Sequence, residues 1–183
     1  MIEKGSKEQG SPGRVLLFTG DGKGKTTAAL GMVLRASGHQ MKILFIQFVK
    51  SDPGTGETAA FAGLPGATII QTGRGFVPKP SKPEFADHRR AAEEGLKLAG
   101  EALRSGRYDM ICLDEIAYAV ARGLLAEEAV IQAVRQTHPG TIVVLTGRNA
   151  THGLIELADT ATEMRKIKHG LETGWTAQKG VEA

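Results

Sequence analysis

The 183-residue sequence has a single cysteine, Cys112, so neither an internal disulfide framework nor a cysteine-rich metal site can form within one chain. No apolar run approaches the length that spans a bilayer, which argues against a membrane protein. Residues 1–13 are polar, lack the apolar core of a signal peptide and read as a flexible tail, so a cytoplasmic location is expected. Charge of one sign is also scarce. The 23 Lys and Arg against 20 Asp and Glu leave +3, too little to call for a nucleic-acid partner. No internal repeat or low-complexity linker interrupts the chain, and only one tryptophan, Trp175, is present. What is there is an ordinary globular balance of 41% hydrophobic and 23% charged residues, with 24 glycines, on a length that suits one full core.

The glycines concentrate where they carry chemistry. An apolar run, Val15-Leu16-Leu17-Phe18, reads as a buried strand and leads into Thr19-Gly20-Asp21-Gly22-Lys23-Gly24-Lys25-Thr26-Thr27. Ala28, Ala29, Leu30, Met32, Val33 and Leu34 continue as a helix, with Gly38 as its expected C-cap. Strand, glycine-rich turn, Gly-Lys-Thr and helix make a P-loop. Its backbone N–H groups converge on phosphate oxygens, and the helix N-terminus adds partial positive charge. Lys25 can reach a phosphate and the Thr26 hydroxyl a Mg²⁺ ion. Thr19 stands where the general motif has its first glycine, so the loop is a variant one.

Further along, Ile43-Leu44-Phe45-Ile46 with Phe48-Val49 reads as a second strand, followed by a loop over 50–57. Thr68-Ile69-Ile70-Gln71 reads as a third strand and 73–80 as a second loop. Ser81-Lys82-Pro83-Glu84 resembles a capping box, which predicts a helix from there to about Ser105 with Phe85, Ala92, Leu96, Ala99 and Leu103 inward. His88 lies on or beside that face and reads as a packed or surface histidine. A fourth strand over 108–113 ends in Asp114-Glu115, a helix is expected over 126–136, and a fifth strand, 141–145, runs into Gly147-Arg148. A short helix at 154–157 and a last strand near 162–167 complete the core.

Alternating strands and helices imply an α/β fold in three layers, a P-loop NTPase-like (RecA-like) domain over 14–169. It has a mainly parallel sheet of about six strands, helices on both faces and a C-terminal tail, 170–183, packing near the nucleotide site. In such sheets ligands sit at the C-terminal strand ends, which gathers the P-loop, both loops, Asp114-Glu115 and Gly147-Arg148 in one place. An apolar strand ending in Asp-Glu offers hard oxygens for Mg²⁺; the other reading is a pair of acids at the start of a helix from Ile116. Arg148 is either a cation for a triphosphate or a surface arginine. Cys112 alternates into a strand and reads as inert. Phe76 and Trp175 either meet a flat ligand or anchor their loops. These motifs specify a Mg-nucleotide-binding α/β protein and leave open a kinase or ATPase that makes ADP.

The chain as a whole resembles the P-loop corrinoid adenosyltransferases. The matching blocks are 18–29, Gln47-Phe48-Val49-Lys50, Gly56-Glu57, Gly73-Arg74-Gly75-Phe76, Leu113-Asp114-Glu115 and Thr146-Gly147-Arg148. They continue through Glu156-Leu157-Ala158-Asp159, Lys166-Ile167-Lys168-His169 and Ala177-Gln178-Lys179-Gly180. The Thr at the first glycine position belongs to this family's pattern.

The resemblance implies attack by Co(I) of cob(I)alamin, cobinamide or cob(I)yrinic acid a,c-diamide on the 5′-carbon of ATP, with release of triphosphate. By match, Gly20, Asp21, Gly22, Lys23, Gly24, Lys25, Thr26 and Thr27 would cradle ATP, with Glu115 and Arg148 completing the site. Lys25 and Arg148 would stabilise the leaving group, Thr26 and Glu115 would hold Mg²⁺ or Mn²⁺, and Phe76 would lie under the corrin. A homodimer and a reduced flavoprotein as electron donor are implied as partners. A tryptophan is common in the family where this chain has Pro78. Closure of the site, which some members achieve with an N-terminal helix, would fall here to a partner subunit or to the tail around Trp175.

Overall fold

The computed structural model describes residues 13–181. Five apolar pentapeptides and one polar tetrapeptide form a single parallel sheet: β1 (Val15–Thr19), β2 (Ile43–Gln47), β3 (Ala67–Gln71), β4 (Met110–Asp114), β5 (Ile142–Thr146) and β6 (Thr160–Glu163). The strand order is β3-β2-β4-β5-β1-β6, so β5 separates the strand that enters the P-loop from the strand that ends in Asp114. That order, with every strand parallel, is the RecA-like arrangement expected from the alternation.

The side-chain period of two explains why the central strands are apolar throughout. Leu44, Ile46, Ile111, Leu113, Val143 and Leu145 point to one face, where they meet α3 (Phe85–Arg104), α4 (Ile116–Ala121), α5 (Glu127–Arg135) and α6 (His152–Leu157). Ile43, Phe45, Met110, Cys112 and Val144 point to the other, under α1 (Lys25–Gly38) and α2 (Gly56–Phe61). Truncating one such side chain, Leu113→Ala for example, should cost about 2–5 kcal/mol through lost transfer energy and the cavity left behind. Phe45 and Phe61 meet edge to face at 5.5 Å and tie α2 to β2. Cys112 is fully buried, and burial together with the Asp114 charge pushes its thiol above the ordinary range, as an inert core residue requires.

Several boundaries differ from the sequence reading, each for a local reason. Gly38 is not the C-cap of α1: it is the last helical residue, and the cap is His39. Gln40 takes the left-handed conformation (φ 59°), with Gln40 N–H donating to Ser37 O and Met41 N–H to Ala36 O, a Schellman closure built on a non-glycine residue. The capping box at Ser81-Lys82-Pro83-Glu84 does not form, and α3 starts at Phe85 without a side-chain cap. Consecutive tight turns occupy that stretch instead, with the N–H groups of Phe85, Ala86 and Asp87 taken by the carbonyls of Lys82, Pro83 and Glu84. The stretch read as a loop over 50–57 gives way to α2 at Gly56, which buries Phe61 in the core under the sheet. The last strand ends at Glu163 rather than near Ile167, and as an exposed edge strand it adds little to the core.

Candidate active site

The loop from Gly20 to Gly24 follows β1 directly, and α1 starts at Lys25. A side chain at Gly22 would bring its Cβ within 2.6 Å of the Met164 carbonyl, because the segment after β6 lies against the loop and accepts the Gly22 N–H at 2.6 Å. Glycine is therefore required there by close approach rather than by φ. Gly24 caps α1 in the left-handed region (φ 113°) without a side-chain bond, and the first intrahelical bond runs from Ala28 N–H to Gly24 O. The N–H groups of residues 25–27 thus have no intrahelical acceptor and carry the positive end of a 14-residue helix.

Lys25 is buried, and its ammonium donates to the carbonyls of Gly20 and Gly22, both at 2.7 Å. Burial and the nearby Arg148 charge draw its pKa down, with Glu115 and Asp21 opposing. A phosphate would give this cation the partner that the carbonyls only partly replace. Arg148 is exposed just beyond β5 and lines the same cavity.

Opposite the loop, Asp114 is fully buried at the end of β4. Its Oδ1 accepts the Thr26 hydroxyl at 2.8 Å and the Thr146 hydroxyl at 2.7 Å, and Thr146 Oγ1 in turn accepts the Glu115 N–H at 2.8 Å. Burial pushes Asp114 up, against the hydrogen bonds from Thr146 and Thr26. Glu115, in the left-handed region at φ 62°, directs its backbone out of the strand and lines the cavity. Burial and then the Asp114 charge raise its pKa, while Lys25, Arg148 and Lys50 pull it down. The donor set is hydroxyl and carboxylate oxygen, the hard chemistry that Mg²⁺ or Mn²⁺ takes, and with its proton given to Asp114 the Thr26 oxygen keeps a lone pair for a cation. The residues present therefore fit the ion.

A cavity of about 740 Å³ joins these groups. Residues Gly22 to Thr27, Glu115 and Arg148 face it, whereas Gly20, Asp21 and Phe76 are not among its lining residues. Gly20 instead serves through its carbonyl to Lys25. Phe76 is 90% exposed on the neighbouring loop, beside the buried anchor Val77. That loop is held by the Gly75 N–H to Val49 O bond, 2.7 Å, and Gly73 passes so close to Val49 that a Cβ would fall 2.1 Å from its carbonyl carbon. Leu30 and Leu34 of α1, Ala60 of α2 and Leu64 just after it give the cavity an apolar wall, and His169, Gly180 and Val181 reach it from the C-terminal segment. Val181 O accepts the Lys23 ammonium at 2.6 Å. Trp175 is exposed, and His88 is half-buried on α3.

The sequence marks Asp114 only as half of the Asp114-Glu115 pair that offers oxygens to Mg²⁺, and gives no role to Gln47, Lys50, Glu57 or Thr146. In the structure Asp114 is the last residue of β4 in register with its neighbour, paired with Gln47, whereas Glu115 lies beyond the sheet. Lys50 and Glu57 form an ion pair at 2.5 Å on the cavity wall, a contact set by the start of α2, which the sequence did not reveal.

A parallel three-layer domain with this loop, a buried lysine inside it and an acid at the end of β4 is a P-loop nucleotide-binding protein. The fold alone is shared with the flagellar accessory protein FlaH from Methanocaldococcus jannaschii, at 11% identity and a TM-score of 0.55 over 83% of this chain and 71% of that one. Residues 11–183 match the family described as ATP:corrinoid adenosyltransferase BtuR/CobO/CobP. Relatives include the corrinoid adenosyltransferase of Pseudomonas aeruginosa, 38% identical over 98% of this chain and 88% of that protein. Those of Escherichia coli strain K12, 35% identical, and Salmonella typhimurium, 32% identical, each align over 97% of this chain and 89% of their own length. The chain belongs to the ATP:corrinoid adenosyltransferase family and is a transferase.

Proposed function

We propose that the cavity binds ATP with its triphosphate in the loop and its 5′-carbon turned toward a reduced corrinoid. The Co(I) lone pair forms the cobalt–carbon bond, the bond from the 5′-carbon to phosphate oxygen breaks, and triphosphate leaves with that electron pair. Cobalt is formally oxidised by two electrons, and the adenosyl carbon takes them. Co(I) is itself a strong nucleophile, so the protein's work is orientation and stabilisation of the leaving group. The observation that carries the reading is spatial: positions from separate blocks of the resemblance (22–27, Lys50, Glu57, Glu115, Arg148, His169 and Gly180) line one cavity.

Lys25, Arg148 and the N–H groups at the start of α1 take the growing negative charge on the triphosphate. These contacts strengthen as the charge builds, which lowers the barrier rather than only tightening binding. Thr26 and Glu115 are the ligands for Mg²⁺ or Mn²⁺, with Asp114 holding the Thr26 hydroxyl. The ion, when bound there, supplies charge neutralisation at the phosphate oxygens. In this reading Phe76, exposed on a loop fixed against Val49, meets the corrin from below and keeps a lower axial ligand away from cobalt. The working form is a homodimer in the cytoplasm, fed electrons by a reduced flavoprotein. The C-terminal segment from Gly170 to Val181 closes the nucleotide side.

Anaerobic incubation with ATP, Mg²⁺ and chemically reduced cobalamin, cobinamide or cobyrinic acid a,c-diamide tests the reading. The expected products are a light-sensitive adenosylcorrinoid and intact triphosphate in equal amounts. ADP as the nucleotide product would replace it with a phosphoryl-transfer enzyme.

A further inference from the structure

The C-terminal residues of three adjacent strands stand in one row, Gln71 of β3 opposite Gln47 of β2, and Gln47 opposite Asp114 of β4. Gln47 is fully buried, and every arm of its amide is used. Its Nε2 donates to Asp114 Oδ2 and to Glu57 Oε1, both at 3.3 Å, and its Oε1 accepts from Gln71 Nε2 at 2.9 Å. Gln71 Nε2 sends its second hydrogen to the Asp52 carbonyl, also at 2.9 Å.

This row has only one workable sense. With the Gln47 amide reversed, its oxygen would face two carboxylates and its NH₂ would face the NH₂ of Gln71, repulsive at both ends. Gln71 is pinned by a backbone carbonyl, so it sets the direction for Gln47, and Gln47 presents its donors to Asp114. The Asp114 carboxylate then has its Oδ2 tied to β2 and its Oδ1 tied to Thr26 and Thr146. Its plane is fixed from both sides.

We propose that Gln47 is a positioning residue for the metal-binding hydroxyl. By fixing the Asp114 carboxylate it aims the Thr26 oxygen at the ion, and Gln71 acts only through Gln47. The same Gln47 amide reaches Glu57, so the wall formed by Lys50 and Glu57 is registered against the metal side of the cavity. The inference rests on the reading of Thr26 as a metal ligand.

Equilibrium binding of ATP to the full chain, measured once with Mg²⁺ and once with EDTA, tests it without turnover. Wild type should bind ATP more tightly with Mg²⁺. Gln47→Met, which keeps the volume and removes the hydrogen bonds, should lose at least about fivefold of that gain while its metal-free affinity stays within about twofold. Gln71→Met should lose part of the gain in the same direction, and the double variant should be no worse than Gln47→Met alone, since the second residue works through the first. A Mg²⁺ gain undiminished in the variants, or equal losses with and without metal, would overturn the positioning role alone. A wild type with no gain would overturn the metal reading and this proposal with it. Should Gln47→Met not fold, Gln71→Met decides by the same comparison, because its half-buried side chain sits on the edge strand.

Discussion

Two lysines that line the cavity show how differently one ammonium can be used. Lys25 is held by two uncharged carbonyls of its own loop and forms no ion pair among the described residues, which leaves its ammonium for an anionic ligand. Lys25→Ala should lower kcat for adenosylation by at least about 100-fold, because the charge it stabilises grows during the reaction. The fold should persist, since no side chain of the core rests on Nζ. A stopped-time assay of adenosylcorrinoid formation checks this, and a near-normal rate would remove Lys25 from the catalytic machinery. Lys50, by contrast, already has its anion in Glu57. Burial alone would raise the Glu57 pKa, but the Lys50 hydrogen bond, a backbone N–H, the Lys50 charge and Gln47 together bring it below its ordinary value of 4.5. A group whose folded value is depressed stabilises the fold above its unfolded pKa and loses that contribution as the pH falls through the folded one. Glu57→Gln should therefore be less stable than wild type above pH 4.5, with the difference shrinking toward zero in more acidic solution. Paired urea titrations across that range give the comparison, and a pH-independent difference would mean that the pair contributes packing alone.

Helix termini were the least legible elements, and the reason is the same at each of them. The interior of α1 shows in its apolar spacing, whereas its end depends on which residue tolerates φ near +60°, and Gln40 rather than Gly38 does so here. Glycine signalled the neighbourhood and not the position. At α3 the sequence offered a serine with a glutamate three residues on, but turn bonds satisfied the first N–H groups before any side chain was needed. α2 is too short, at six residues, to show a period at all. The central strands were legible because both faces of the sheet are buried, which leaves an unbroken apolar run and a polar residue where the run stops. The same logic marked Asp114 and the P-loop but not Gln47, since a polar residue after an apolar run reads equally as the start of a loop. The α1 closure carries a prediction of its own. A non-glycine residue in the left-handed region costs about 1 kcal/mol, so Gln40→Gly should stabilise the chain by about 0.5–1 kcal/mol. The readout is an upward shift of the urea midpoint at unchanged slope, with ATP affinity untouched. A loss of stability would show that the Gln40 side chain contributes more than its backbone strain subtracts.

At the scale of the whole molecule, segments far apart in sequence meet at the active site, among them the first strand–helix turn and the C-terminal segment. The P-loop sits between β1 and α1, and the sequence then passes through four more strands before β6 pairs with β1 on its open edge. Met164, just past β6, donates to Thr19 O and accepts from Gly22, so the phosphate loop is fixed by a segment more than a hundred residues later in sequence. This long-range tie is why the loop's shape was legible in its glycines while its support was not: nothing local to Gly22 announces Met164. Beyond that strap the segment turns back, placing His169, Gly180 and Val181 on the cavity, with Val181 O on the Lys23 ammonium. The two parts should separate on truncation. Ending the chain after Gly170 keeps β6 and Met164, so the sheet edge and the loop stay braced, and the melting temperature should shift by only a few degrees. It removes the Val181 contact to Lys23 and the Gly180–Val181 part of the cavity wall, a loss of about 1 kcal/mol in an exposed setting, so KM for ATP should rise severalfold. Ending it after Arg14's partner strand is complete but before β6, at Ala158, should instead unfold the P-loop edge, because Leu16, Leu17, Phe18 and Thr19 lose the whole β6 ladder. If the truncation after Gly170 left KM unchanged, the tail would be a passenger on a site already built by β1, β4 and β6.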